Sequence, residues 1–431
     1  MTYVVVTARY ESTGGSSLQK AVLYPALETA IRNHAALAAR MVARHPSPPT
    51  WIRLSSIDLN KVVSFVDKDS QELHTVLEEF FLNTIDFSEE LPMWKLLVLR
   101  DGMVVFAFDH TMGDGQSGLA FHHTLLKALN STERRSTEHP GIITTLPQDN
   151  ALPPAIEDVM DVSTPFTTVL QMFAHRIFPS RKPKHNGAWT GNPVPSTITM
   201  PVAVRIFHFN PEDTAKLTKL SREHKTTLTG TLHTLTVVVL SRLIRTQPDG
   251  KRFTSVQTHI PISLRRFIGT PPTAICNHVS GYNAHYPLND QEAPVSPETF
   301  PWDNAATLTE TLRRVAPHTA RVLGMLKYVS GPYEKSTRRE IGRPRAGALE
   351  FSNLGAFPAL EVRDAGGWRI RETVFAQADA TRGPVFKLNT VGNPDGGLGV
   401  SITWAKVAVD HELAEEYVRE FEKGLRVLIS S

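Results

Sequence analysis

His110, Thr111, Met112, Gly113, Asp114 and Gly115 place an imidazole and a carboxylate four positions apart, across a glycine turn. A neutral histidine titrates near pH 6.5 and can take a proton from an alcohol or amine at physiological pH. When that group attacks an acyl donor directly, no serine, cysteine or threonine nucleophile is needed. The chemistry this pattern suits is acyl transfer, with His110 as general base. Asp114 reads as a brace for the loop, because a short carboxylate between Gly113 and Gly115 is placed to hold a turn. Arg265 or Arg266 is its candidate ion-pair partner. Gly115 supplies backbone freedom that a Cβ would restrict. Gln116 and Ser117 stand at a helix start, where free N–H groups could hold a developing oxyanion. The bland alternative is a turn-capping Asp-Gly beside a half-buried histidine.

A strand must deliver the histidine and a helix must follow it. Met103–Phe108 is an apolar run. Trp94–Leu99 precedes it, and the Arg100-Asp101-Gly102 between the two runs is a hairpin signal. Leu119, Phe121, Leu125, Leu126 and Leu129 predict a helix over 116–130. Upstream, the pattern predicts a strand over 3–9, a helix over 25–43, a strand at 62–66 and a helix over 69–83. Residues 131–165 are rich in Ser, Thr, Pro and acidic side chains and read as a linker, with a helical turn at 156–162. Further on, strands are expected at 202–209, 254–261, 348–352, 369–377, 384–391 and 398–405, and helices over 211–223, 226–245, 303–326 and 410–428. The division that follows is an N-terminal lobe, 1–165, carrying the histidine motif and linker, and a C-terminal lobe, 166–431.

The hairpin-then-helix unit at 94–130 has an echo in Phe386–Val391, a Gly/Asn/Pro turn, Leu398–Trp404, Asp410 and the last helix. Two lobes of related topology would explain it. Chance would too, since the unit is common.

A chain of 431 residues with 41% hydrophobic and 21% charged residues has material for two cores. A net charge of +3 makes no case for a nucleic-acid partner. Cys276 is the sole cysteine, so no intrachain disulfide forms, which favours a reducing compartment. The start of the chain reads as a strand and not as a signal peptide, and no apolar run reaches the roughly 18 residues that span a bilayer. The expectation is a cytoplasmic monomer away from membranes. His122-His123 lacks a third ligand at suitable spacing, so no metal is expected. His233 reads as a packing histidine. The basic run Arg181–Lys184 reads as a solvated loop, with contact to a cofactor phosphate as the alternative.

Several segments, in order, resemble the chloramphenicol-acetyltransferase-like acyltransferase superfamily. It includes alcohol acetyltransferases, polyketide-associated acyltransferases and the condensation domains of peptide synthetases. The segments are Asn33-His34-Ala35-Ala36-Leu37, Leu91-Pro92-Met93-Trp94-Lys95-Leu96, Asp109-His110-Thr111-Met112-Gly113-Asp114-Gly115, Ile262-Ser263-Leu264-Arg265 and Phe351-Ser352-Asn353-Leu354-Gly355. The third matches the family's HHxxxDG motif, with Asp109 in place of its first histidine. The plant enzymes' DFGWG signature is absent, and no carrier-protein or adenylation pattern is fused, which favours a free-standing acyltransferase.

The resemblance implies an α/β fold of two α+β two-layer sandwich lobes, forming a pseudo-dimer around an interlobe tunnel. It implies His110 as general base and Asp114 as a structural residue. Asp109, Gln116, Ser117, Ser352 and Asn353 would lie at or near the tunnel. An acyl thioester, acyl-CoA first and an acyl-carrier-protein phosphopantetheine second, would donate to the hydroxyl of a small-molecule acceptor, with no covalently bound cofactor. The alternatives are a condensation-like enzyme forming an amide or cyclising an intermediate, and a non-catalytic relative that binds a ligand or carrier protein.

Overall fold

Alternation in the first strand organises the first lobe. Val4, Val6, Ala8 and Tyr10 enter one core with Leu23, Leu27, Phe106, Phe108 and Phe121. Tyr3 and Val5 enter another, with Val76, Leu77, Phe81, Val105 and Ala107. The strand is therefore covered on both faces. The computed structural model describes residues 3–42, 49–83, 91–131, 140–145, 151–167, 170, 187–196, 201–288, 295–328, 338–358, 367–378 and 383–430. Its longer elements in the first half are β1 (Tyr3–Ser12), α1 (Lys20–Asn33), β2 (Val63–Val66), α2 (Leu73–Leu82), β3 (Trp94–Leu99), β4 (Met103–Asp109) and α3 (Gly115–Leu129). In the second half they are β5 (Val202–Phe209), α4 (Pro211–Glu223), α5 (Leu228–Thr246), β6 (Ser255–Ser263), β7 (Val279–Pro287), α6 (Trp302–Val315), β8 (Leu349–Ala356), β9 (Trp368–Gln377), β10 (Phe386–Gly392), β11 (Leu398–Ala405) and α7 (His411–Ile429).

The first sheet has the order β9-β1-β4-β3-β2, and the second β5-β11-β10-β8-β6-β7. Side chains from α1 and α3 share the first core, and those of α2 share the core on the sheet's other face. One face of the second sheet carries an apolar core with side chains from α4, α5, α6 and α7.

The echo between the halves is a repeat of topology. In the first, β1 pairs antiparallel with β4, β4 with β3, and β3 runs parallel to β2. In the second, β5 pairs antiparallel with β11, β11 with β10, and β10 runs parallel to β8. Each hairpin ends in a connector, 110–114 or 406–410, closed by an aspartate that caps the next helix: Asp114 for α3 and Asp410 for α7. Lys406 opens the second connector, where the first has His110.

A cut at 165 does not separate the sheets. β9, from the second half, pairs antiparallel along β1 from Val4↔Gln377 to Ser12↔Trp368. It covers an edge that would otherwise expose unpaired backbone groups.

Two helices differ from expectation. The first begins at Lys20, takes Pro25 into its interior and ends at Asn33. His34 is extended, and 39–42 forms a strand pairing with 50–53. The helix expected over 303–326 is α-helical only to Val315 and continues as a 3-10 helix, Ala316–Tyr328. Pro317 stands at the change, and its missing N–H removes one rung of the α-helical ladder. In the linker, 142–144 pairs with 56–58, and 156–159 forms one helical turn. The basic run Arg181–Lys184 lies outside the described residues.

Candidate active site

β4 is buried along its whole length and carries the chain straight to His110. The turn after it is closed by Asp109, whose Oδ1 accepts from Thr111 N at 2.8 Å and Thr111 Oγ1 at 2.6 Å. Asp109 is 4% exposed. It braces the turn. His110 itself is half-buried. Asn277 reaches it from the second half: Asn277 Nδ2 donates to the His110 carbonyl oxygen at 2.7 Å and lies 3.4 Å from His110 Nδ1. Sequence reasoning missed Asn277. Its only signal was its place just past Arg265, next to Cys276.

Asp114 caps α3 and ties the halves together. Its Oδ1 accepts from Ser117 N at 3.1 Å, and its Oδ2 accepts from Arg265 Nη1 at 2.5 Å and from His278 N at 3.2 Å. Arg265 Nη2 also donates to Ser117 Oγ at 3.2 Å and to the Cys276 carbonyl at 3.0 Å. Of the two candidate partners, Arg265 makes the contact. Arg266 is exposed and lies over the Phe267 ring, 4.5 Å from its centroid. Ser117 is fully buried and its amide donates to Asp114, so that N–H is already engaged. Burial pushes the Cys276 thiol up to about 11, which keeps it neutral and unsuited to nucleophilic attack.

Gly115 is required for space, not for torsion. A Cβ there would collide with Leu354 of β8 and press on Phe375 of β9, and its φ is not positive. Gln116 crosses the same junction, with Nε2 donating to the Leu354 carbonyl at 2.6 Å. Beside it opens a cleft of about 570 Å³ lined by Gln116, Thr229, Ser263, Arg266, Arg313 and Asn353, among others. Asn353 Nδ2 donates to Thr229 Oγ1 at 3.0 Å on this wall. Ser352 is buried on β8, in register with Asn389.

The other conspicuous histidines are structural. His122 is fully buried. Its Nδ1 lies 3.0 Å from the Tyr10 hydroxyl and its Nε2 2.9 Å from the Val6 carbonyl. Burial lowers it to about 4, so it stays neutral. His233 lies 2.9 Å from Thr258 Oγ1 and is likewise lowered by burial, to about 3. Among the described residues, no group of three His, Cys, Asp or Glu could hold a metal ion. No single described helix is long and apolar enough to cross a membrane. The bent pair α4–α5 passes on length and composition, but α5 is largely buried in the second core.

Comparison with known proteins agrees with this architecture. The family model for alcohol acetyltransferase matches residues 1–425. A probable alcohol acetyltransferase, crmB of Aspergillus fumigatus, is 24% identical, with 97% of this chain and 94% of that protein covered. Among solved structures, the trichothecene 15-O-acetyltransferase TRI3 of Fusarium sporotrichioides superimposes with a TM-score of 0.70 at 12% identity, covering 99% of this chain and 90% of that one. The epimerization domain from the third module of tyrocidine synthetase B gives a TM-score of 0.60 at 14% identity, covering 99% and 91%. The fold is thus the two-lobed one shared by these acetyltransferases and peptide-synthetase domains. The chain belongs to the alcohol acetyltransferase family and is an O-acyltransferase.

Proposed function

We propose that the protein transfers an acyl group from acyl-CoA to a hydroxyl of a small-molecule acceptor, with His110 as general base. The observation that carries this is the anchoring of His110 from the opposite lobe by Asn277, beside a loop locked by Asp114 and Arg265. A base on a loop held from both sides keeps its geometry through the reaction. The acceptor oxygen attacks the thioester carbonyl as its proton passes to His110. The tetrahedral intermediate then expels the thiolate, which takes that proton back, so the histidine ends as it began.

The cleft beside Gln116 suits the donor. Arg266 and Arg313 line it, and Thr227 at its wall caps the N-terminus of α5. Cations and a helix N-terminus favour the phosphates of a pantetheine-bearing donor. Acyl-CoA carries that tail, and an acyl carrier protein is the second donor. The lobes are 1–165 and 166–431, with β9 lent back to the first. The chain works as a cytoplasmic monomer.

The test is to incubate purified protein with a panel of acyl-CoAs and hydroxylated acceptors, following free thiol and product mass, beside His110→Ala. Thiol release and ester formation in the wild type, lost together in the variant, are expected. Undiminished ester formation by His110→Ala defeats the general-base role. Turnover with an acyl-loaded carrier but with no acyl-CoA reverses the order of donors.

A further inference from the structure

The second sheet turns a charged face toward the first lobe, and acyl transfer by His110 makes no use of it. Leu349 and Phe351 of β8 enter the core under α5 and α7. Alternation therefore points Glu350 and Ser352 the other way, toward the first lobe, whose core takes in Leu354. Strand register sets Asn283, His259, Glu350, Lys387 and Thr403 side by side on β7, β6, β8, β10 and β11. Cross-strand neighbours share a face, so these five form one polar rung. Lys387 Nζ lies 3.8 Å from Glu350 Oε1, with the two side chains 6% and 14% exposed. His259 Nδ1 lies 2.8 Å from Asn283 Oδ1.

Such a rung does little for stability. A buried ion pair is commonly no better than apolar side chains of the same volume, because both charges give up water. Burial raises the Glu350 carboxyl, yet Lys387, His259, His110 and a side-chain hydrogen bond from Gln377 outweigh it and hold the group below its ordinary value. The carboxylate is thus ionised, within electrostatic reach of the proposed base. Alternation keeps the side chain, still 14% exposed, on the face turned toward the lobe that carries His110.

We propose that Glu350 orients the acceptor, its carboxylate accepting a hydrogen bond from a second hydroxyl while the first meets His110. The acceptor class is then a diol or polyol. An ammonium-bearing acceptor fits less well, because Lys387 flanks the carboxylate on one side and His259 on the other. The inference rests on the acyl-transfer reading and adds a substrate class to it.

The experiment uses matched acceptors with acetyl-CoA: a cyclohexanediol against cyclohexanol, and a two-hydroxyl sterol against its mono-hydroxyl analogue. In the wild type, kcat/KM for at least one diol should exceed that for its partner by about tenfold, mostly through KM. Glu350→Gln should cut that preference about fivefold, since the hydrogen bond loses its charge. Wild-type turnover with no gain from a second hydroxyl overturns the inference and leaves acyl transfer standing. An unchanged preference in a folded Glu350→Gln also overturns it. If thermal melting shows that variant unfolded, the wild-type pairs decide. Absence of thiol release with every alcohol overturns the acyl-transfer reading, and this one with it.

Discussion

Arg265 Nη1 donates to Asp114 Oδ2 at 2.5 Å across 151 residues of chain, and the two side chains are 6% and 5% exposed. This pair joins the loop after β6 to the N-terminus of α3, so it sets where the histidine loop sits relative to the second lobe. Removing one partner leaves the other charge buried and alone. Asp114→Ala and Arg265→Ala should each cost about 3–5 kcal/mol in urea unfolding, and removing both should cost less than the sum. A wild-type midpoint for Arg265→Ala would show that the pair does not brace the fold.

Gly115 packs where no side chain fits. Gly115→Ala should cost about 1–3 kcal/mol through overpacking against Leu354 and Phe375. Adding Leu354→Ala should recover part of that loss. Equal melting temperatures for wild type and Gly115→Ala would contradict the contact.

His110 is half-buried, and its carbonyl, not its ring, carries the short contact to Asn277. His110→Ala should therefore melt close to the wild type while kcat falls about 10²- to 10⁴-fold. Asn277→Ala should lower kcat about tenfold or more with KM nearly constant, because it lets the base drift. A change confined to KM would place Asn277 in substrate binding instead.

His122 links stability to pH. Its folded value of about 4 lies below the ordinary 6.5 because burial disfavours the charged ring. The unfolded chain binds the proton more readily, so this contribution is full above pH 6.5. It is lost as pH falls from there through about 4. The loss amounts to about 3 kcal/mol. Urea midpoints measured across that range should fall with acid, and His122→Asn should flatten the slope. A slope unchanged in the variant would assign the acid sensitivity to other groups.

Local patterns were the most legible. The Asp101-Gly102 hairpin lies where the turn rule puts it, with Gly102 at φ 84. β5 and α4 match their expected spans of 202–209 and 211–223, because alternation and an Asn210 cap with a proline after it are short-range signals. The repeat of hairpin, connector and capped helix was legible for the same reason. Errors fell where tertiary contacts overrode propensity, as at Pro25 inside α1 and at the strand that follows it.

The residue types and spacing of His110, Asp114 and Gly115, and the strand and helix on either side, were determined by the sequence itself, since neighbours along the chain carry that information. Tertiary structure alone decided that Arg265 and not Arg266 meets Asp114, that Asn277 holds His110, that Gly115 is needed for space, and that β9 returns to the first sheet. Each of those depends on which distant surfaces close on one another, and contacts across more than a hundred residues leave no periodicity to read.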